Sequence, residues 1–327
     1  MVRKNSEKLN FSCLLFAAGY LFAAGCLFLS GCKSSPKPEA FYSDRADSFA
    51  FMAPGADIYF NADVASARPI LDRLFLGNMS GGEISEFLDM TDSVTAALYS
   101  TGPRRFLAAA SGRYPSRRGG MFFSTNRDWS KTKSASGINY WHSEKSSLSV
   151  YLGASRAYIS DADPFAAAPG AERPAGLASL REGAVLSGWM ENPGGALDRI
   201  ISALGIPLRI PAEKLVFGVY RQPAAGTEES AAENPDAALY RATLRLETAS
   251  GSQAAAIARI FATARLAMAF IDLSAMEGGA DFASLVGVFL SRAPEQDGRT
   301  LILNTGSMDG RDLALLFNTL SVYSQGS

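Results

Sequence analysis

The chain has 327 residues, 47% of them hydrophobic and 19% charged, with a formal net charge of −1. That composition supplies a core for one large domain or two modest ones and excludes a disordered stalk. A single histidine, His142, excludes a zinc site built on two or three histidines. In chain order, Met1 to Asn10 comes first, carrying Arg3, Lys4 and Lys8 against Glu7, a short positive head. Phe11 to Leu29 follows, almost wholly apolar, and then the small residues Ser30 and Gly31 lead into Cys32. Charged head, apolar middle and small-residue cleavage site make an export signal. A retained spanning helix is the alternative, because nineteen residues just reach across a bilayer.

The stretch Leu29-Ser30-Gly31-Cys32 resembles the lipobox of bacterial lipoproteins, in which an aliphatic residue and two small ones precede a cysteine. The resemblance covers only the first 32 residues. It implies a thioether-linked diacylglycerol on Cys32, cleavage before it and acylation of the new amino terminus. "AAGC" at residues 23–26 matches less well, since Ala23 replaces the leucine and an apolar run continues past it. Of three cysteines, Cys13 and Cys26 lie in the leader, so the mature chain keeps Cys32 alone. With that thiol consumed by lipid, no internal disulfide and no thiolate metal site remain. One acyl chain holds a protein to a membrane marginally, and two chains hold it stably, at about 0.8 kcal/mol per buried methylene.

Serine, proline and charge dominate the start of residues 33–56, which read as a tether running to about residue 55. Extended at about 3.1 Å per residue, it reaches at most roughly 60 Å. Beyond it, "DIYFNADVASARPILDRLF" (57–75) aligns without gaps on "GAVLSGWMENPGGALDRII" (183–201), an offset of 126. In the first stretch the pattern predicts a strand at 57–63, helices at 65–76 and 83–90, and strands at 93–100, 105–113 and 148–152. In the second it predicts strands at 184–190, 214–221, 238–247 and 300–304, with helices at 194–204, 252–271 and 312–323. Strand-helix-strand-strand-helix-strand is the ferredoxin-like split βαβ order. The expected fold class is α+β: two repeated halves, each an antiparallel-rich sheet backed by helices. The organisation is then signal peptide 1–31, lipidated Cys32 with its tether 32–55, first repeat 56–170 and second repeat 171–327.

Tyr240, Ala242, Leu244 and Leu246 alternate with polar residues, which suits a sheet with one solvated side. Residues 254–271 approach the length of a membrane span, but Arg259 and Arg265 sit inside them. Each would cost roughly 2.5–3.5 kcal/mol at a bilayer centre. Ile257, Ile260, Phe261, Ala264, Met268 and Ile271 fall on one helical stripe clear of both arginines, so the segment reads as core-facing.

Catalytic signals are sparse. No serine lies in a Gly-x-Ser-x-Gly turn, and neither a phosphate-cradling Gly-x-x-x-x-Gly-Lys nor a dinucleotide Gly-x-Gly-x-x-Gly follows a strand. His142 sits in the strand-like "NYWHSEK" beside Tyr140 and Trp141, as an edge or surface residue. The acidic run Glu228, Glu229, Glu233 and Asp236 matches no calcium loop and reads as a solvated hairpin. Asp309 in "TGSMDG" is placed to cap a terminal helix. No cofactor and no metal is expected. Paired carboxylates that meet only in space leave an envelope hydrolase as the alternative to a binding protein.

One segment departs from background. Arg104, Arg105, Arg113, Arg117, Arg118, Arg127, Lys131 and Lys133 face only Asp128, a net of +7, whereas the rest of the mature chain carries −10. Tyr114, Phe122, Phe123 and Trp129 interleave these cations. Arg104, Arg105, Arg113, Arg117 and Arg118 are the candidate anionic-surface residues. For an exported protein, anionic lipid, a cell-wall polymer or an acidic envelope protein fits better than nucleic acid. The bland reading pairs this face with the protein's own acidic remainder. The expected function is a lipid-anchored, non-enzymatic bacterial envelope protein, held to the membrane by its anchor, that binds a partner, lipid or small cargo.

Overall fold

Strands with one apolar face need a surface to cover it, and here they line up side by side in a single sheet. The structure is a computed structural model that describes residues 49, 52–76, 87–99, 104–166, 174, 177–194, 210–222, 238–268 and 287–313. In chain order the elements are β1 (Ile58–Asp63), α1 (Val64–Leu76), β2 (Thr91–Leu98), β3 (Phe106–Gly112), α2 (Ser116–Thr125), β4 (Ser130–Lys133), β5 (Asn139–Ser143), β6 (Leu148–Leu152) and β7 (Arg156–Ser160). They continue with α3 (Leu177–Arg181), β8 (Ala184–Glu191), β9 (Ala212–Arg221), β10 (Tyr240–Thr248), α4 (Gly251–Met268), β11 (Glu295–Asp297) and β12 (Thr300–Asn304). The twelve strands form one sheet in the order β11-β12-β10-β9-β8-β1-β2-β3-β7-β6-β5-β4.

Every described pairing is antiparallel. The mixed α+β class with antiparallel sheet and backing helices therefore holds, but the ferredoxin-like order is not confirmed. A split βαβ unit pairs its first and third strands in parallel; here β1 and β8 pair with each other and with their own following strands. Outward from that junction the order is β1-β2-β3-β7-β6 on one side and β8-β9-β10-β12-β11 on the other. The 126-residue offset marks the junction's centre, since Asn61 pairs with Ser187. Side chains do not follow it throughout. Tyr59 belongs to the cluster around Trp189, whereas Val185, at an irregularity between Ala184 and Leu186, packs with Ala62 and Ile70.

The two faces of the sheet are covered differently. On the front face, Tyr59, Ala97, Leu107, Trp189 and Val216 form the central cluster, capped by Leu177 and Leu180 of α3. Ahead of β1, inside the stretch that composition assigns to the tether, Phe49 and Met52 are fully buried in this cluster. On the back face, α2 covers one end through Phe123, which packs with Phe106, Leu148, Val150 and Ile159. α4 covers the other end through Ile257 against Leu246, Leu301 and Leu303. Arg259 and Arg265 are exposed, as the stripe predicts, and no described helix is long and apolar enough to cross a membrane. On β10, Tyr240, Ala242 and Leu246 are buried, whereas Leu244, on the same face, is half-buried like Arg241, Thr243, Arg245 and Glu247.

Of the expected helices, residues 87–89 are the described end of 83–90, and the 194–204 helix lies almost wholly outside the described residues. The terminal helix at 312–323 is described to Leu313. Asp309 caps it, its carboxylate accepting from the backbone N–H groups of Arg311 and Asp312, each at 2.8 Å. The sheet ends in two charged edges. β4 carries Lys131 and Lys133, and β11 carries Glu295 and Asp297.

At the central junction Gly188 lies opposite Phe60, and an added Cβ there would sit 2.1 Å from the Tyr59 carbonyl oxygen and 2.8 Å from the Phe217 ring. Gly188→Ala should therefore strain the junction and lower stability by about 1–3 kcal/mol or more. Urea unfolding of the mature chain measures this, and an unchanged midpoint would contradict the geometry.

Candidate anionic-surface interface

The basic segment begins where β3 starts and ends on edge strand β4, so the fold spreads its cations over several elements. Arg104 is not available to a partner. It is 8% exposed, its guanidinium donates to the Asp163 carbonyl, and it lies 6.0 Å from the Tyr99 ring centroid. This corrects the expectation for that residue: a cation beside a strand start was recruited to hold the loop after β7. Arg105 is exposed, and its backbone N–H donates to the Asp161 carboxylate at 2.9 Å. Arg113 and Arg117 are exposed, at the end of β3 and in the first turn of α2. The side chain of Arg118 lies outside the described residues, as do Leu29, Ser30, Gly31 and Cys32.

Three of the four interleaved aromatics are core, and Phe122 is half-buried. Tyr114, Phe123 and Trp129 are buried, with the Phe123 and Trp129 rings 4.9 Å apart. The Tyr114 hydroxyl lies 3.1 Å from that of Thr91, and burial holds it well above the usual tyrosine range. These rings fasten α2 to the sheet and offer no stacking surface. Gly119 permits the approach, because a Cβ there would lie 2.2 Å from a Leu152 methyl.

What remains is a set of six exposed cations: Arg105, Arg113, Arg117, Arg127, Lys131 and Lys133. None of them forms an ion pair with another described residue. Asp128, the one acid in the segment, is held by Lys145 at 2.9 Å instead. The bland reading required these charges to be matched internally, and the described residues do not match them. On the outer side of α2, Met121 is 67% exposed, a large apolar side chain among the arginines. Sequence reasoning missed Met121, because the expected elements left 116–125 without a helix.

Elsewhere the polar groups look structural. His142 Nδ1 lies 3.1 Å from the Ser149 hydroxyl on the neighbouring strand. Among the described residues no group of three His, Cys, Asp or Glu side chains is arranged to hold a metal ion. The acidic run at 228–236 lies outside the described residues.

Residues 43–156 match the family described as outer membrane-associated lipoprotein TP0453. A curated relative, outer membrane protein TP0453 of Treponema pallidum (strain Nichols), is 29% identical over 104 residues, which is 32% of this chain and 36% of the relative. The family match covers about a third of this chain. The aligned stretch thus spans little more than a third of that relative's length. Crystal form IV of TP0453 is similar with a TM-score of 0.54 at 19% identity, covering 83% of this chain and 96% of that one. Crystal form I gives 0.53 at 18% identity, covering 86% and 100%. The likeness in structure establishes a shared fold. The family match falls on the first half of the sheet and includes the whole basic segment from Arg104 to Lys133.

Separating the buried arginine from the exposed ones gives a direct test. Arg104→Ser removes the buried bond to Asp163 and should cost about 1–3 kcal/mol of unfolding free energy. Arg117→Ser should cost less than about 0.5 kcal/mol, as for other exposed positions. Equal costs in urea unfolding would contradict the assignment.

Proposed function

We propose that the protein is a lipid-anchored, non-enzymatic envelope protein whose basic face docks on an anionic membrane surface beside its own anchor. The anchor is Cys32, freed by cleavage of residues 1–31. The tether is the polar stretch after it, up to the point near Phe49 where the chain enters the core. The observation that carries the docking reading is the set of exposed cations around α2 and β4 that no described acid neutralises. Each lysine or arginine near an anionic surface contributes about 1 kcal/mol, and the attraction fades within a Debye length of about 8 Å at physiological salt. Four or more such contacts are enough to orient a body that the lipid already retains. Met121 adds an apolar group to the same side.

The lipid is tested by labelling cells with a fatty-acid probe. The wild type should be marked and Cys32→Ala should not; labelling of both, or an intact leader by mass spectrometry, would overturn the anchor. Docking is tested with the mature chain from residue 32 carrying Cys32→Ser. It should sediment with vesicles rich in anionic lipid at low salt and release at high salt. Changing Arg113, Arg117, Lys131 and Lys133 to serine should abolish sedimentation while leaving thermal unfolding nearly unchanged. Sedimentation with wall fragments but not with vesicles would assign the face to a polymer, and indifference to every anionic surface would sink the reading.

A further inference from the structure

β10 carries a cation that the described fold leaves unmatched. Arg245 lies on the front face of the sheet, between Val216 of β9 and Ile302 of β12. It is half-buried, and its Nε, wholly removed from solvent, has no acceptor. No described acid forms an ion pair with it. Two acids of the same face are held by other cations: Glu247 has Arg299 at 3.9 Å, and Glu191 has Lys214 at 3.1 Å. Glu295, across Ile302 on β11, is exposed and makes no ion pair with Arg245. A guanidinium does not shed its proton in proteins, so this side chain cannot escape by becoming neutral. A charge drawn partly out of water and left unpaired costs free energy, which an anion beside it offsets.

The groups beside Arg245 are fixed on both sides. Towards β9, Tyr220 folds back over Gly218, where a Cβ would lie 2.7 Å from the tyrosine oxygen. Its hydroxyl donates to the Leu180 carbonyl of α3 at 2.5 Å. Burial raises the Tyr220 hydroxyl and the charge of Arg245 acts against that, so the guanidinium lies within electrostatic reach of it. Towards β12, Thr243 donates to Asn304 Oδ1 at 2.8 Å, which turns the Nδ2 donors of that amide away from Thr243. Asn304 is the diagonal neighbour of Arg245 across the ladder, a separation of roughly 7–8 Å that a long side chain spans. Ile302, half-buried beside both, adds an apolar surface.

We infer that Arg245 and Asn304 form a binding site for the oxyanion of a small ligand, a carboxylate or a phosphate, on the front face of β10 and β12. The planar guanidinium presents parallel N–H donors to two oxygens of such a group, and the Asn304 amide supplies a further donor. Ile302 gives the ligand's carbon skeleton a surface to lie on. The site is on the face of the sheet opposite α2. It is therefore separate from the surface proposed to meet the membrane, and either can fail without the other.

Thermal unfolding of the chain from residue 32 with Cys32→Ser tests this, because a ligand that binds only the folded state raises the midpoint. At constant ionic strength, replacing chloride by millimolar inorganic phosphate or acetate should raise the midpoint in a saturable way for at least one of the two. Arg245→Met keeps the alkyl stem, removes the charge and should lose that saturable rise. Asn304→Ala should raise the half-saturating concentration about threefold to tenfold. Arg259→Met, at an exposed position on the other face, should respond as the parent does. If a variant fails to unfold cooperatively, the arginine Nε–H resonances of the parent chain read the same binding, one of them moving saturably and the rest staying put. An arginine that merely covers apolar surface with its stem would give parent and Arg245→Met the same response to both anions, and that result would overturn the site. Vesicle sedimentation should be unaffected by Arg245→Met; its loss would assign the anion to a lipid headgroup and overturn a small-ligand site.

Discussion

The antiparallel junction between β1 and β8 is the contact on which the rest of this molecule depends. Each strand brings its own series of strands with it, so five facing residue pairs, from Ile58 with Met190 to Ala62 with Leu186, join one series to the other. Strand pairing alone would not hold such a seam. What secures it is that both faces are filled at that point: Tyr59 stacks on Trp189 in front, and Ala62 and Leu186 pack with Ala67 and Ile70 behind. The close approach needs Gly188, whose missing side chain leaves room for the Tyr59 carbonyl.

From that seam the division of labour between faces follows. The back face buries its apolar row under α2 and α4, and the outward side of α2 carries Arg117, which forms no ion pair with another described residue. The front face is closed at its centre by shorter pieces, α3 and the segment before β1, and elsewhere shows half-buried polar side chains such as Thr243 and Asn304, bonded to each other at 2.8 Å. A helix docked by Phe123, Trp129 and Phe106 is a rigid platform, so the charges on it are held in place rather than averaged over a loop. At the front centre the cover comes instead from α3, through Leu177 and Leu180, and from Phe49, Met52 and Ala56 ahead of β1.

Much of this was legible in the sequence, for reasons particular to each stretch. β1, β8, β9 and β10 carry alternating or continuous apolar runs that only a sheet can bury, and α4 carries a stripe at helical spacing with its arginines off it. Asp309 ahead of the terminal helix is a local cap, readable without the fold. α2 was not legible, because "SRRGGMFFST" has two glycines where a helix former is expected, and Gly119 is there for the sake of Leu152, a residue 33 positions away. β4, "SKTK", has no apolar residue at all and exists by pairing with β5. The aromatic residues among the arginines suggested a mixed binding surface from sequence. Phe123 and Trp129 are in fact packed between α2 and the sheet, Tyr114 is buried against Phe87, and Arg104 is buried beside Tyr99. The ferredoxin-like reading is not confirmed because the order of strands and helices does not fix whether neighbours run parallel. Which strands become neighbours, which depends on the whole sheet, decides that.

The charged edges bear on how many copies can share one membrane. Proteins confined to a surface collide edge on far more often than in solution, and an open strand is a template for pairing. Two β4 edges meeting bring Lys131 and Lys133 against their like, and two β11 edges do the same with Glu295 and Asp297. In β4 the lysines share the back face with Trp141, and in β11 the acids share the front face with Ile302. Each end of the sheet thus carries charge of one sign on one face, a device that blunts an open strand against pairing with its like.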